Sequence, residues 1–177
     1  MKTFHHVLVL MLALTLAVGI ATADNKYVGV SRCKPCHSVE KMGGLAYKVW
    51  EKTAHAKAFE TLKSKEAEEF AKKKGLTKPA SESPECLKCH VTGGGKAAEE
   101  KKEDGVTCEA CHGAASAWVS IHNKKTAEDK EKATAAGLVI DKTGKTCETC
   151  HNAESPTFKG FKFAEMWKKI EHAGPKQ

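Results

Sequence analysis

The 177-residue sequence is poor in three things that proteins of other classes need. Arg32 is its sole arginine, so the planar guanidinium forks that read base edges are almost missing, and a nucleic-acid partner is not expected. Aromatic residues make up 6% of the chain and charged residues 29%, too little apolar bulk for the polypeptide alone to fill a generous core. After Ile20 there is no apolar stretch of membrane-spanning length.

What the chain does contain begins with a leader. Met1-Lys2 precedes an apolar run from Val7 to Ile20, followed by Ala21-Thr22-Ala23, an Ala-x-Ala cleavage signal. The run of 14 residues is short for a span. Residues 1–23 are therefore expected to be a signal peptide and residues 24–177 one exported domain. The formal charge is +7 and becomes +6 without Lys2.

All eight cysteines fall in four pentads of one pattern: Cys33-Lys34-Pro35-Cys36-His37, Cys86-Leu87-Lys88-Cys89-His90, Cys108-Glu109-Ala110-Cys111-His112 and Cys147-Glu148-Thr149-Cys150-His151. On a helical turn, positions i and i+3 share a side, and the next residue is the first that can swing an imidazole under a flat ring. Cys-x-x-Cys-His is thus read as a covalent haem c site: two thioethers to the porphyrin vinyls and a histidine on the iron. Four pentads imply four covalently bound haem c groups. Their macrocycles supply the missing apolar bulk, so the haems are expected to form the core of a mainly α protein with little or no sheet. Each ferric haem adds about −1 and each ferrous haem about −2, so the basic composition mostly offsets cofactor charge. Zinc ribbons or four disulfides are the alternatives for the cysteines, but neither explains a histidine after every pair. First cysteines lie 53, 22 and 39 residues apart, which excludes a solenoid of equal repeats.

Outside the leader and the pentads three histidines remain: His55, His122 and His172. All three are candidate second ligands, and one iron then lacks a histidine. Met42 and Met166 could fill the fourth place, although core packing suits them better; otherwise one haem is five-coordinate. A helical pattern runs from about Leu45 to Lys74 and puts His55, Phe59 and Leu62 on one stripe. Further helices are expected from Ala114 to about Lys125, with Trp118 flat against a haem one turn from His122, and from Phe161 to about Ala173, stopped by Gly174-Pro175. The charged run from Lys96 to Asp104 reads as a mobile surface loop, and Leu138-Val139-Ile140 as a short strand or a buried turn.

Several stretches resemble one family in order: Tyr27-Val28-Gly29, Thr53-Ala54-His55-Ala56-Lys57-Ala58, Cys89-His90-Val91 with a glycine cluster after it, Gly105-Val106 with Cys108-Glu109 and Cys111-His112-Gly113, and Phe161-Lys162-Phe163 with Glu165-Met166. They resemble the tetrahaem cytochrome c-554 family. The resemblance implies a mainly helical periplasmic electron carrier with closely stacked haem pairs, His55, His122 and His172 as distal ligands, and a five-coordinate second haem on His90. Ala114 departs from the proline usual after Cys-His-Gly, and Lys41 to Leu45 looks like an insertion.

The function expected is single-electron transfer between redox partner proteins that dock briefly, with a peripheral membrane partner among the candidates, rather than enzymatic turnover. Two alternatives stand beside it. An open second haem could reduce a small molecule such as nitric oxide, or protomers could stack into an extracellular filament with His172 donated to a neighbour.

Overall fold

Caps and hydroxyl side chains cut this chain into short helices joined by tight turns. The structure, a computed structural model, describes residues 24–122 and 126–173. They form α1 (Val30–His37), α2 (Glu40–Gly43), α3 (Ala46–Trp50), α4 (Ala58–Thr61), α5 (Lys65–Lys73), α6 (Pro84–His90), α7 (Cys108–His112), α8 (Ala127–Ala135) and α9 (Phe163–Trp167), with 3-10 turns at His55–Lys57, Thr92–Gly95, Lys102–Asp104 and Cys147–Thr149. No strand occurs among the described residues, so the chain is mainly α as expected. No helix among them is long and apolar enough to cross a membrane. The expected leader, residues 1–23, lies outside the described residues.

The long helix expected from Leu45 to Lys74 is broken in two places. Thr53 folds back on Trp50, whose carbonyl accepts from both the Thr53 N–H and its Oγ1 at 2.8 Å. A hydroxyl that competes for the backbone in this way favours a turn over a continuing helix. Further on, Ser64 is extended at φ −76°, ψ 157° and accepts the Ala67 N–H at 3.1 Å, so it caps a new helix. His55 consequently sits on its own 3-10 turn, while Phe59 and Leu62 are buried as their spacing required.

Two other expected helices are also shorter. Residues 116–121 are turns, and residues 123–125 lie outside the described set. The last helix spans only Phe163–Trp167, and the Gly174-Pro175 stop signal lies outside the described residues. In addition, α8 forms because Thr126 accepts the Asp129 N–H and Ala133 is fully buried. Leu138-Val139-Ile140 is irregular, with Val139 and Ile140 exposed.

The segment 96–104 is a surface loop in part, with Lys96, Glu99, Lys101 and Glu103 exposed. Glu100 departs from the expectation at 5% exposed, and a 3-10 turn follows at Lys102–Asp104. Nearby, Gly105 adopts φ +69°, and a Cβ there would lie 2.5 Å from the His55 carbonyl. That close approach lets the Val106 N–H donate to the same carbonyl at 2.9 Å, while Trp50 Nε1 donates to the Val106 carbonyl at 2.8 Å. The His55 turn is thereby tied to the strand-like lead into α7.

Buried apolar residues form two small clusters, Phe59, Leu62, Ala71, Ala80, Leu87 and Val91 in one, and Ala115, Trp118 and Ala133 in the other. With Val30 they are the ten buried apolar residues among those described. So few side chains make a weak offset to the conformational entropy of ordering the chain.

Candidate functional site

Each pentad closes one helical turn. His37, His90 and His112 are the last residues of α1, α6 and α7, and the His151 N–H donates to the Cys147 carbonyl at 2.9 Å just beyond its 3-10 turn. Local sequence explains the start of two of these turns. Pro84 takes the first helical position of α6, where its missing N–H costs nothing. Before the fourth pentad, Asp141 Oδ1 accepts from Thr143 N–H and Oγ1 at 2.7 Å, and Oδ2 accepts from the Thr146 N–H at 2.6 Å. The Thr143 hydroxyl and these amides hold the Asp141 carboxyl below the usual carboxylate range.

The imidazoles are oriented by backbone carbonyls. Nδ1 of His37, His90, His112 and His122 lies 2.8 Å from the carbonyls of Gly43, Ala58, Val139 and Val119, and Nδ1 of His172 lies 3.0 Å from that of Ile170. A carbonyl only accepts, so Nδ1 carries the proton and Nε2 keeps its lone pair. Proteins present histidine to metals in this way. Burial keeps His37, His55 and His112 below the usual imidazole pKa, which preserves that lone pair at neutral pH.

The rings then meet in pairs, each joining one pentad histidine to one from elsewhere. His37 and His122 have centroids 6.1 Å apart, His151 and His55 6.0 Å, and His112 and His172 6.0 Å. A metal–nitrogen bond is about 2 Å and the ring centre lies about 1 Å beyond, so two imidazoles on one metal have centres about 6 Å apart. The residues present fit a metal held between each pair. His90 has no imidazole against it among the described residues; its Nδ1 also lies 3.1 Å from Thr61 Oγ1. Met42 and Met166, expected to pack in the core or to ligate, are instead exposed at 54% and 39%.

Other features fit a macrocycle between the rings. Trp118 is buried and stands perpendicular to the His122 ring, centroids 5.3 Å apart at 86°. Its Nε1–H is buried without an acceptor, as it would be where an acidic group such as a propionate belongs. Beside His151 a hollow of about 430 Å³ is lined by Glu148, Asn152, Ala153, Phe158 and Phe161. All eight cysteines are free, and burial pushes the Cys89 and Cys111 thiols up to about 11. Protonated thiols in pairs suit addition to vinyl groups, whereas zinc takes thiolates in sets of about four.

The cysteines also bring the pentads together. Cys33 and Cys108 lie close enough to perturb each other, lowering the first thiol and raising the second; Cys89 feels Cys150, and Cys111 feels Cys147 and Cys150. One residue of this region escaped the sequence reading as more than a motif filler. Glu109, 2% exposed, accepts the N–H groups of Val28, Gly29 and Ala115 and so fixes the N-terminal lead-in against the third pentad.

Comparison with known proteins agrees with this donor set. The family described as "Cytochrome c554 and c-prime" matches residues 32–113. Cytochrome c-554 of Nitrosomonas europaea is 33% identical over 132 residues, covering 70% of this chain and 48% of the relative. The chain thus spans about half the length of the relative it matches. No solved structure matches. With four pentads, paired imidazoles and these two matches, the chain belongs to the cytochrome c-554 family of c-type cytochromes.

Proposed function

We propose that this protein is an exported tetrahaem c-type cytochrome that passes single electrons between redox proteins docking briefly at its surface. The three imidazole pairs at 6.0–6.1 Å, each with one pentad histidine, carry the reading. Cys33, Cys36, Cys86, Cys89, Cys108, Cys111, Cys147 and Cys150 hold the haems as thioethers. His37 with His122, His112 with His172 and His151 with His55 hold three irons, and His90 holds the remaining one. When bound, haem supplies an iron that cycles between the ferric and ferrous states and so stores one electron. The chain's own part is to fix each imidazole through its Nδ1–H, to exclude water from the rings, and to set the order of sites. Contacts of Cys33 with Cys108, Cys111 with Cys147 and Cys150, and Cys89 with Cys150 favour the order first, third, fourth, second.

Export is supported by the sequence pattern of Met1 to Ala23, the apolar run followed by Ala21-Thr22-Ala23 that a signal peptide needs. The test is electron paramagnetic resonance of the oxidised protein with a mass measurement of attached haem. Four haems, three low-spin and one high-spin, are expected; four equivalent low-spin irons would overturn the ligand assignment, and fewer than four haems the tetrahaem reading.

The lone ring of His90 favours a second activity, binding and reduction of a small molecule such as nitric oxide at the second site. Carbon monoxide added to the reduced protein should bind one haem in four, and no spectral change would rule that activity out. The filament reading has less support, since the His172 ring lies against His112 of its own chain.

A further inference from the structure

Two carboxylates are shut inside the chain beside the first and third pentads. Glu109 is 2% exposed and Glu100 is 5% exposed. Both oxygens of Glu109 are engaged as acceptors: Oε1 takes the N–H of Ala115 at 2.8 Å and of Val28 at 3.1 Å, and Oε2 takes the N–H of Gly29 at 2.8 Å and of Val28 at 3.1 Å. Glu100 is placed differently. Its Oε1 accepts from Thr107 Oγ1 at 2.7 Å, and Thr107 is itself buried and bonded to Thr92. Its Oε2 is buried with no partner at all.

A buried carboxylate oxygen with no donor is costly as an anion and much less so as the hydroxyl of an acid. Glu109 of α7 and Asp104 of the 3-10 turn Lys102–Asp104 face Glu100 and make the anion costlier. The sulfurs of Cys33 in α1 and Cys108 in α7 also stand beside it and, as thioethers, bring no compensating charge. Burial above all pushes its carboxyl up to about 7; the Thr107 hydroxyl pulls it down, and Glu109 and Asp104 push it up again. Because Cys33 and Cys108 both feel its charge, Glu100 stands where the first and third attachment turns meet.

We propose that Glu100 is a redox-linked proton site: it takes one proton from solvent when an electron arrives at the first or third haem site, and releases it when the electron leaves. This rests on the tetrahaem reading. The step balances as one electron from the donor, one proton from water and the Glu100 carboxylate giving a ferrous site and a carboxylic acid, so the charge of this part of the molecule does not change. In a protein interior the added electron is felt strongly at a group this close, and by linkage the proton favours reduction in return. Thr107 is a positioning residue for Glu100, through the hydroxyl hydrogen bond that opposes protonation.

The experiment uses the fully loaded holoprotein, with its haem count measured by mass on the same sample. Midpoint potentials are titrated with soluble mediators across pH values on both sides of about 7. Potentials of two of the four haems should fall as pH rises; E100Q should abolish that dependence, and T107V should move its midpoint to higher pH. Infrared difference spectra should show a protonated-carboxyl band on reduction that E100Q lacks. Potentials independent of pH in the wild type, or a dependence unchanged in both variants, would overturn the proton site while leaving the tetrahaem reading intact. Fewer than four haems would instead overturn the tetrahaem reading. Should E100Q fail to accumulate, T107V and the wild-type infrared band decide: no shift and no band would overturn the proposal.

Discussion

Glu109 and His55 show how much single side chains carry in this chain. Glu109 satisfies three backbone N–H groups, of which Val28 and Gly29 belong to the N-terminal lead-in and Ala115 to the far side of the third pentad. Its removal strands two buried donors and one part-buried donor, each at about 1 kcal/mol or more. Glu109→Ala is therefore expected to destabilise the holoprotein by about 3 kcal/mol, measured by urea unfolding, with Glu109→Gln losing less because an acceptor remains. His55 contributes through a single lone pair. His55→Ala should turn one low-spin iron high-spin and raise the carbon monoxide bound per molecule from one to two, both read from absorbance spectra. His55 and its partner His151 were both nameable from residue type; their pairing was not, because 96 residues of chain separate them.

At the scale of elements, turns decide where the ligands point. Gly105 holds φ +69° with the His55 carbonyl 2.5 Å from the position of a Cβ. Gly105→Ala should cost about 1–3 kcal/mol in strain and push the His55 turn away from His151; thermal unfolding and the low-spin absorbance of the fourth site would report it. The Asp141 turn gives a pH dependence of definite sign. Its folded carboxyl is held below the ordinary range by Thr143 and Thr146. The stability it adds is present above the unfolded value of about 4 and is lost as pH falls below that through the folded value. Asp141→Asn should flatten the acid limb of thermal stability, measured as melting temperature against pH. The sequence reading missed the breaks at Thr53 and Ser64, because a hydroxyl either faces solvent on a helix or closes a turn, and distant packing chooses.

At the scale of the whole molecule, the ten buried apolar residues among those described leave the polypeptide short of a core. Chain made without haem attachment, for example with each pentad cysteine replaced by serine, should lack the helical circular dichroism of the holoprotein and show no cooperative unfolding. Electron transfer to an acidic partner should slow as ionic strength rises, because a lysine-rich surface steers the encounter and salt screens it; stopped-flow rates across a salt series check this. The thin core was foreseeable from 6% aromatics. The arrangement of what replaces it was not, since spacing along the chain says nothing about which pentad lies next to which.

Glu109 and Glu148 mark the boundary between the two kinds of knowledge. Both follow the first cysteine of their pentads, and nothing local separates them. One is buried against the lead-in and the other is exposed. The sequence by itself determined the attachment chemistry, the number of pentads, the supply of histidines and the deficit of one, because covalent chemistry and ligand type need only residue identity and close spacing. Tertiary structure alone decided which histidines face each other, that His90 faces none among the described residues, and that Glu100 and Glu109 share the interior beside Cys33 and Cys108. Those outcomes depend on long-range packing and desolvation, which arise only when distant segments are brought together.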